Sequence, residues 1–415
     1  MDATRDLAHI STVTLLRRRL HTGARSAALN PQLTAQHPLL GAARSAGAAT
    51  GRLARGDIAG TVDRLAWSSA QLGTALGARI AHAELQPDRT STPWRPSVAP
   101  PQPRKPRKRR RSGAARGAVL LYHRVCELPD DPLGVAVSPQ HFAEQMAVLA
   151  RDYRPAALAD VVSGAAGPRA VAVTFDDGYV DNLLHALPIL QRYSVPATLF
   201  ASTGHIATGD GFWWDELQRS VEAALSGGEP GPLSLELPSG KRTWRPDVDT
   251  PIGSLLDWLH AAIRPLPVAE VAAAVSAIRD WAGVESHPPE RDRPLTASEL
   301  KRLADAGPFD VQAHGRNHLS MAFMDSRTRS DEMVGSADDI ESWLGRRPTQ
   351  FAYPFGVPGV DVDAGSRKDA AAAGFSIAVV NAADAPAGNQ HAVPRLAVPD
   401  VGGPAFAELI ASRAR

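Results

Sequence analysis

From residue 118 to about 400 the chain alternates two apolar rhythms. Short apolar runs recur at Ala118 to Tyr122 (AVLLY), Val171 to Phe175 (VAVTF), Ala197 to Ala201 (ATLFA), Phe309 to Ala313 (FDVQA), Thr349 to Tyr353 (TQFAY) and Phe375 to Val380 (FSIAVV). Continuous short apolar runs are what strands buried on both faces require. Between them lie stretches with helical spacing. Ser138 to Leu149 (SPQHFAEQMAVL) begins with a capping serine and a proline at the first helical position, and a second helix is predicted near Val180 to Arg192. Strands alternating with amphipathic helices predict an α/β fold, a parallel sheet or barrel covered by helices. Residues 213–294 interrupt the scheme with a Pro- and Trp-containing insertion, helical around Asp215 to Leu225 and Val268 to Trp281, and residues 401–415 read as a C-terminal helix.

The first 89 residues follow a different pattern. They are rich in Ala, Arg and Leu, and Ile58, Val62, Leu65, Ala66 and Leu72 recur near helical spacing. Residues 90–117 turn to Pro and basic residues (STPWRPSVAPPQPRKPRKRRR), the composition of an extended linker. The expected organisation is therefore an α-helical, partly disordered extension (1–89), a basic linker (90–117) and one large domain (118–400).

Composition narrows the class. Apolar residues at 44% and charged residues at 21% fit a globular chain with a real core. The net charge of +1 conceals a run from Arg104 to Arg111 in which every residue except Pro106 is basic, so the remainder is acidic. Such a run reads as a solvated tether or a contact for anionic lipid, and no nucleic-acid partner is expected. Cys126 is the single cysteine, which excludes an internal disulfide and any multi-cysteine metal site. The N-terminal segment lacks the apolar core of a signal peptide and no stretch is apolar enough to span a membrane, so a cytoplasmic location, at the inner membrane face, is expected.

In parallel α/β folds the reacting groups gather at the carboxyl ends of strands. Four motifs fall there. Asp176 and Asp177 close the run TFDDGY; one carboxylate of such a pair can bind a cation while the other faces a water, although an Asp pair before a helix is also the pattern of a capped turn. His314 and His318 (HGRNH) follow FDVQA, and imidazoles four apart can reach one ion, although such pairs also occur by chance on surfaces. Together with a carboxylate they form the two-histidine, one-carboxylate set that leaves coordination positions open. FAYPFG places Tyr353 and Phe355 at a turn able to present a backbone N–H, and Tyr122-His123-Arg124 ends the first strand, where a lone histidine is as readily structural as catalytic.

With these motifs in hand, the sequence resembles the NodB-type polysaccharide deacetylases, carbohydrate esterase family 4, over roughly residues 118–400. The resemblance is carried by TFDDGY, HGRNH, FAYPFG and the phrases LLYHRV, LPILQRYSVPATLF and FWWDELQR. It implies a distorted (β/α) barrel and a hydrolase that removes acetyl groups from N-acetylated sugars with one divalent ion, expected to be zinc. It further implies Asp176 as general base, Asp177, His314 and His318 as metal ligands, and the Phe355 N–H as oxyanion donor. Two departures stand out: Gly315 occupies a position where many members carry Ser or Thr, and the C-terminal Leu-x-His motif is replaced by Pro394-Arg395-Leu396. In a rearranged branch acting on exopolysaccharide the acid histidine comes from the first strand, which points to His123, with Arg395 orienting Asp176. Trp213, Trp214, Tyr353 and Phe355 are candidates to stack on sugar rings, with burial in the core the favoured reading for any one of them. The partner expected is an N-acetylated glycan or its lipid-linked precursor. A small-amide amidohydrolase or a non-catalytic carbohydrate-binding scaffold are the alternatives, the latter disfavoured by the intact metal set.

Overall fold

The computed structural model describes residues 117–226, 231–245, 252–285, 288–383 and 388–413. The N-terminal helices and the basic linker expected from the sequence lie outside the described residues.

Eight short parallel strands follow one another around the barrel: β1 (Ala118–Tyr122), β2 (Ala170–Phe175), β3 (Ala197–Ala201), β4 (Phe309–Ala313), β5 (Gln350–Ala352), β6 (Ile377–Val380), β7 (Val393–Pro394) and β8 (Leu396–Ala397), and a ninth, Arg154–Pro155, pairs with β2 off that path. They pair in chain order from β1 to β7, and β8 returns to β1 through Leu120 opposite Leu396 and Leu121 opposite Ala397. Residues 393–397 thus pair with β6 at one end and β1 at the other, and the sheet curls into a barrel whose seam is Arg395.

The period of two along each strand sorts the side chains. Leu120, Val171, Val173, Phe175, Leu199, Phe351 and Val380 pack with the helices in the main core, joined by Phe406 and Ile410 of the C-terminal helix Gly403–Arg413. Val119, Ala170, Ala172, Phe200, Ala352 and Val379 form a separate cluster with Leu158 and Val161 of the helix Leu158–Ser163. Asp176 continues the row Ala170, Ala172, Thr174, which places it at the carboxyl end of that second, smaller-residue face.

Two expectations differ in detail. The helix after β2 begins with a π turn, Asn182–Ala186, before the α-helix Leu187–Tyr193; Pro188 has no N–H to donate within an α-helical ladder, and the wider turn absorbs the mismatch. The insertion also contains an antiparallel hairpin, Leu233–Leu237 with Gly240–Trp244, whose Leu233 and Leu235 point inward. With the helices Trp213–Ser226, Ile252–Ile263 and Val268–Ala282 it encloses its own core, including Trp213, Leu217, Leu259 and Ile278. Among the described residues no helix is long and apolar enough to cross a membrane.

Candidate active site

The strand ends carry the polar residues that the barrel leaves at its carboxyl face. Asp176 N–H donates to Tyr122 O and extends the β1–β2 ladder by one residue, which fixes the carboxylate beside the seam. Arg395 projects from that seam and grips Asp176 in a bidentate pair, with Nη1 to Oδ1 and Nη2 to Oδ2 both at 2.6 Å. The same guanidinium donates to Asn381 Oδ1 at 2.6 Å and to Thr174 Oγ1 at 3.3 Å. Burial alone raises the Asp176 pKa, but the charge of Arg395, assisted by His314 and His123, outweighs it and holds the carboxyl below its ordinary value.

Asp177 turns away from its neighbour. Its φ of +74° is left-handed, costing a non-glycine residue about 1–3 kcal/mol, and its carbonyl accepts from Ser202 N–H. The side chain meets both histidines: Oδ1 lies 3.4 Å from His314 Nε2 and 3.3 Å from His318 Nε2. These contacts lack hydrogen-bond geometry, and Asp177 Oδ1 and His318 Nδ1 are buried without a hydrogen-bond partner. His314 Nδ1 bonds Ala352 O at 2.8 Å, so that nitrogen carries the proton and Nε2 presents its lone pair to the cluster. One ligand atom from each of the three residues lies within 4.8 Å of the others. An orphaned carboxylate oxygen facing buried imidazoles fits a divalent cation, which would use the lone pairs that no protein donor satisfies. Burial lowers His318 to about 4, leaving it in the neutral form a ligand needs. His314 is raised, because Asp176 and Asp177 overcome the effect of burial.

The loop between the two histidines is braced by Glu332, which the sequence reading did not single out. This buried residue of the helix Ser326–Leu344 accepts from the N–H groups of Arg316 and Asn317 at 2.9 and 2.8 Å and from Asn317 Nδ2 at 2.6 Å. Burial raises its pKa while those donors oppose the rise. Gly315 sits at φ +77°, and a Cβ there would come 3.1 Å from Glu332 Oε2. Glycine is thus demanded by the turn, and a carboxylate from the neighbouring helix supplies the brace that a Ser or Thr at this position lacks here.

The remaining candidates fall as follows. His123 lies just past β1, half-buried, near enough for its charge to lower both Asp176 and Asp177. Phe355 is left-handed at φ +58°, its carbonyl accepts from Asn381 Nδ2, and its N–H has no partner among the described residues. Its ring stands edge-on to His318 at 4.7 Å. Tyr353 is buried, with its ring in the main core and its hydroxyl donating to His391 O, so it offers no free face to a sugar. Trp213 and Trp214 open a helix rather than occupying a loop and are buried in the insertion's core. The Trp214 indole lies 4.4 Å from the His318 ring, with Nε1 donating to Tyr179 OH at 2.7 Å. Tyr179 OH donates onward to Asp215 at 2.8 Å. The two tryptophans wall the site instead of forming open stacking platforms: His260 lies against Trp213, and Phe212 and His318 against Trp214.

A parallel α/β barrel with carboxylates and histidines converging at its carboxyl face defines a barrel hydrolase with a candidate metal centre. A family model described as polysaccharide deacetylase matches residues 163–226 and 257–378, and through this domain the chain belongs to the polysaccharide deacetylases of carbohydrate esterase family 4, hydrolases of N-acetyl amide bonds. No curated protein matches the chain. Similar solved structures include a Streptococcus pyogenes deacetylase, PplD, in complex with acetate, at 15% identity, covering 72% of this chain and 97% of that one with a TM-score of 0.44. IcaB from Ammonifex degensii shares 18% identity over 72% of this chain and 96% of its own, with a TM-score of 0.44. The polysaccharide deacetylase BC0361 from Bacillus cereus shares 17% identity over 72% and 69%, again with a TM-score of 0.44.

Proposed function

We propose that this polysaccharide deacetylase is metal-dependent, removing the acetyl group from N-acetylated sugars of an exopolysaccharide or its lipid-linked precursor, with Asp177, His314 and His318 holding one divalent ion. The observation that carries this reading is the division of labour within one Asp pair: Asp177 faces two imidazoles while Asp176, the adjacent residue, is locked by Arg395. Zinc suits the donor set of two imidazoles and a carboxylate. When bound, the ion supplies Lewis acidity, acidifying a water and polarising the acetyl carbonyl.

Asp176 accepts the proton of the attacking water. Its low pKa keeps it ionised, and the bidentate grip of Arg395 fixes the direction in which its lone pairs point. The Phe355 N–H, unpartnered and left-handed, receives the oxyanion that forms as the acetyl carbon becomes tetrahedral. His123 donates a proton to the sugar nitrogen as the C–N bond breaks, yielding acetate and a free amine. Its origin on β1 matches the rearranged branch that the sequence resembles. Contact of the basic linker with anionic lipid at the cytoplasmic membrane face would bring the enzyme to a lipid-linked substrate.

The test is acetate release from N-acetylated oligosaccharides and glycolipids, with and without chelator. Release that stops with chelation and returns with added zinc is expected. Release unaffected by complete metal removal refutes metal dependence, and release from simple acetamides in preference to every glycan would favour a small-amide hydrolase.

A further inference from the structure

The insertion reaches the catalytic face of the barrel through a buried guanidinium. Arg264 directly follows the inserted helix Ile252–Ile263, and its Nε donates to Asp361 at 2.7 Å while Nη2 pairs with the other carboxylate oxygen. Asp361 is fully buried, and it also accepts from Ser320 Oγ at 2.6 Å and from Val357 N–H at 3.0 Å. One carboxylate therefore ties together the insertion, the turn two residues beyond His318, and the loop that begins at Phe355. The Arg264 guanidinium also lies over the Phe355 ring, 4.6 Å from its centroid. Nearby His260 is lowered to about 4, by burial first and by the Arg264 charge second. Asp361 is the only anion paired with Arg264 among the described residues.

Taking a guanidinium and a carboxylate out of water costs several kcal/mol per ion before their attraction is counted, and an apolar pair of similar volume is often as stable. What such a pair supplies and an apolar pair lacks is direction: a fork fixing a carboxylate fixes everything that carboxylate holds. Here that carboxylate holds the Val357 N–H, two residues beyond Phe355, while the guanidinium itself covers the ring of Phe355, whose left-handed backbone is retained only where surroundings impose it. We propose that Arg264 is a positioning residue: through Asp361 and the Phe355 ring it holds the Phe355 N–H where the acetyl oxyanion forms, making the insertion a working part of the deacetylase site. The inference rests on the reading of Phe355 as oxyanion donor.

The test uses the full chain with penta-N-acetylchitopentaose as the probe, comparing Arg264→Met, Arg264→Lys and Asp361→Asn. Each variant is measured for kcat, KM, zinc content, and affinity for a tetrahedral phosphonamidate analogue of the acetyl group. Misplacing a transition-state donor by about an ångström costs on the order of 100-fold. The expected result for Arg264→Met and Asp361→Asn is kcat lowered about 10- to 100-fold, with KM within about threefold, zinc retained, and analogue affinity falling in step with kcat. Arg264→Lys, which keeps the charge but not the fork, should recover part of the loss. Folded Arg264→Met with native kcat overturns the proposal, as does a loss of kcat that leaves analogue affinity untouched. If Arg264→Met does not fold, Asp361→Asn and Arg264→Lys decide by the same criteria. Absence of acetate release by the native chain on this and every other glycan counts against the proposed function itself, whereas native turnover with an undiminished Arg264→Met removes this inference alone.

Discussion

The barrel and the insertion bury apolar surface in different ways. Barrel strands such as Ala170–Phe175 and Ala197–Ala201 are buried at every position, because helices cover one face and the strands themselves enclose the other. The inserted hairpin alternates, with Leu233 and Leu235 inward and Ser234 and Glu236 exposed, and it relies on Trp213, Leu217, Leu259 and Ile278 from surrounding helices. Polar groups divide the same way. Those of the barrel stand at strand ends and converge on one cluster, while those joining the insertion to the barrel are buried pairs: Arg264 with Asp361, and Arg124 with Asp181 and Asp292. Apolar packing gives each region its shape. Directed charge pairs join the two, and the proposed site lies at that junction.

The sharpest test of the barrel face is Asp176→Asn. Turnover is expected to fall about 10²–10⁴-fold while zinc content stays at the native level, since an amide can hold Arg395 in part but cannot accept the proton. Acetate release alongside elemental analysis reads both; a parallel loss of metal would merge the roles assigned to the two aspartates.

The insertion's core is tested by Leu259→Ala, which removes a fully buried side chain. Denaturant unfolding should show a loss of about 2–5 kcal/mol. Zinc binding at native temperature is expected to persist, because none of Asp177, His314 and His318 belongs to the insertion; loss of metal in the folded variant would show that the barrel face does not stand without it.

Glu332→Gln weakens the brace on the histidine loop. Zinc affinity, measured by competition with a chromophoric chelator, should drop about 10- to 100-fold, as usual for groups that orient metal ligands. An unchanged affinity would leave the loop held by Gly315 and the backbone alone.

The smallest expected effect is a pH dependence at the junction. Asp215 is raised from 3.8 to about 7, chiefly by burial. Below its unfolded value both states bind the proton. As pH rises from about 4 to 7 the unfolded chain releases that proton first, so folding stability falls, and the loss is complete above the folded value. Asp215→Asn keeps an acceptor for Tyr179 and should flatten this slope, leaving the variant more stable than the native chain at pH 8 by on the order of 1–3 kcal/mol. Unfolding curves from pH 4 to 8 measure the difference, and identical slopes would place the titration elsewhere.

Much of the domain was legible before folding. Short, mainly apolar runs identified six barrel strands to within a residue or two, since strands buried on both faces carry few polar positions. The seam was not legible: Val393–Pro394 and Leu396–Ala397 are too short for any period, and they become strands only because β6 and β1 offer them edges. The hairpin and the π turn escaped for related reasons, one being stabilised by distant helices and the other by a single missing N–H.

The site divides along the same line. TFDDGY and HGRNH are local phrases, so the sequence by itself marked them as candidate ligands and proton carriers, with the individual roles implied by the resemblance. Of the groups that hold those side chains, Arg395 was expected from the resemblance although it lies 219 residues from Asp176; the others appeared only in the tertiary structure, where Glu332 sits on a helix beyond the loop it braces and Arg264 reaches Asp361 across 97 residues. Trp213 and Trp214, candidates for sugar stacking in the sequence, are buried walls with Phe212, His260 and His318 against their rings. Local spacing encodes chemistry that neighbouring atoms can perform; partners far apart in the chain meet only after burial has removed the alternatives.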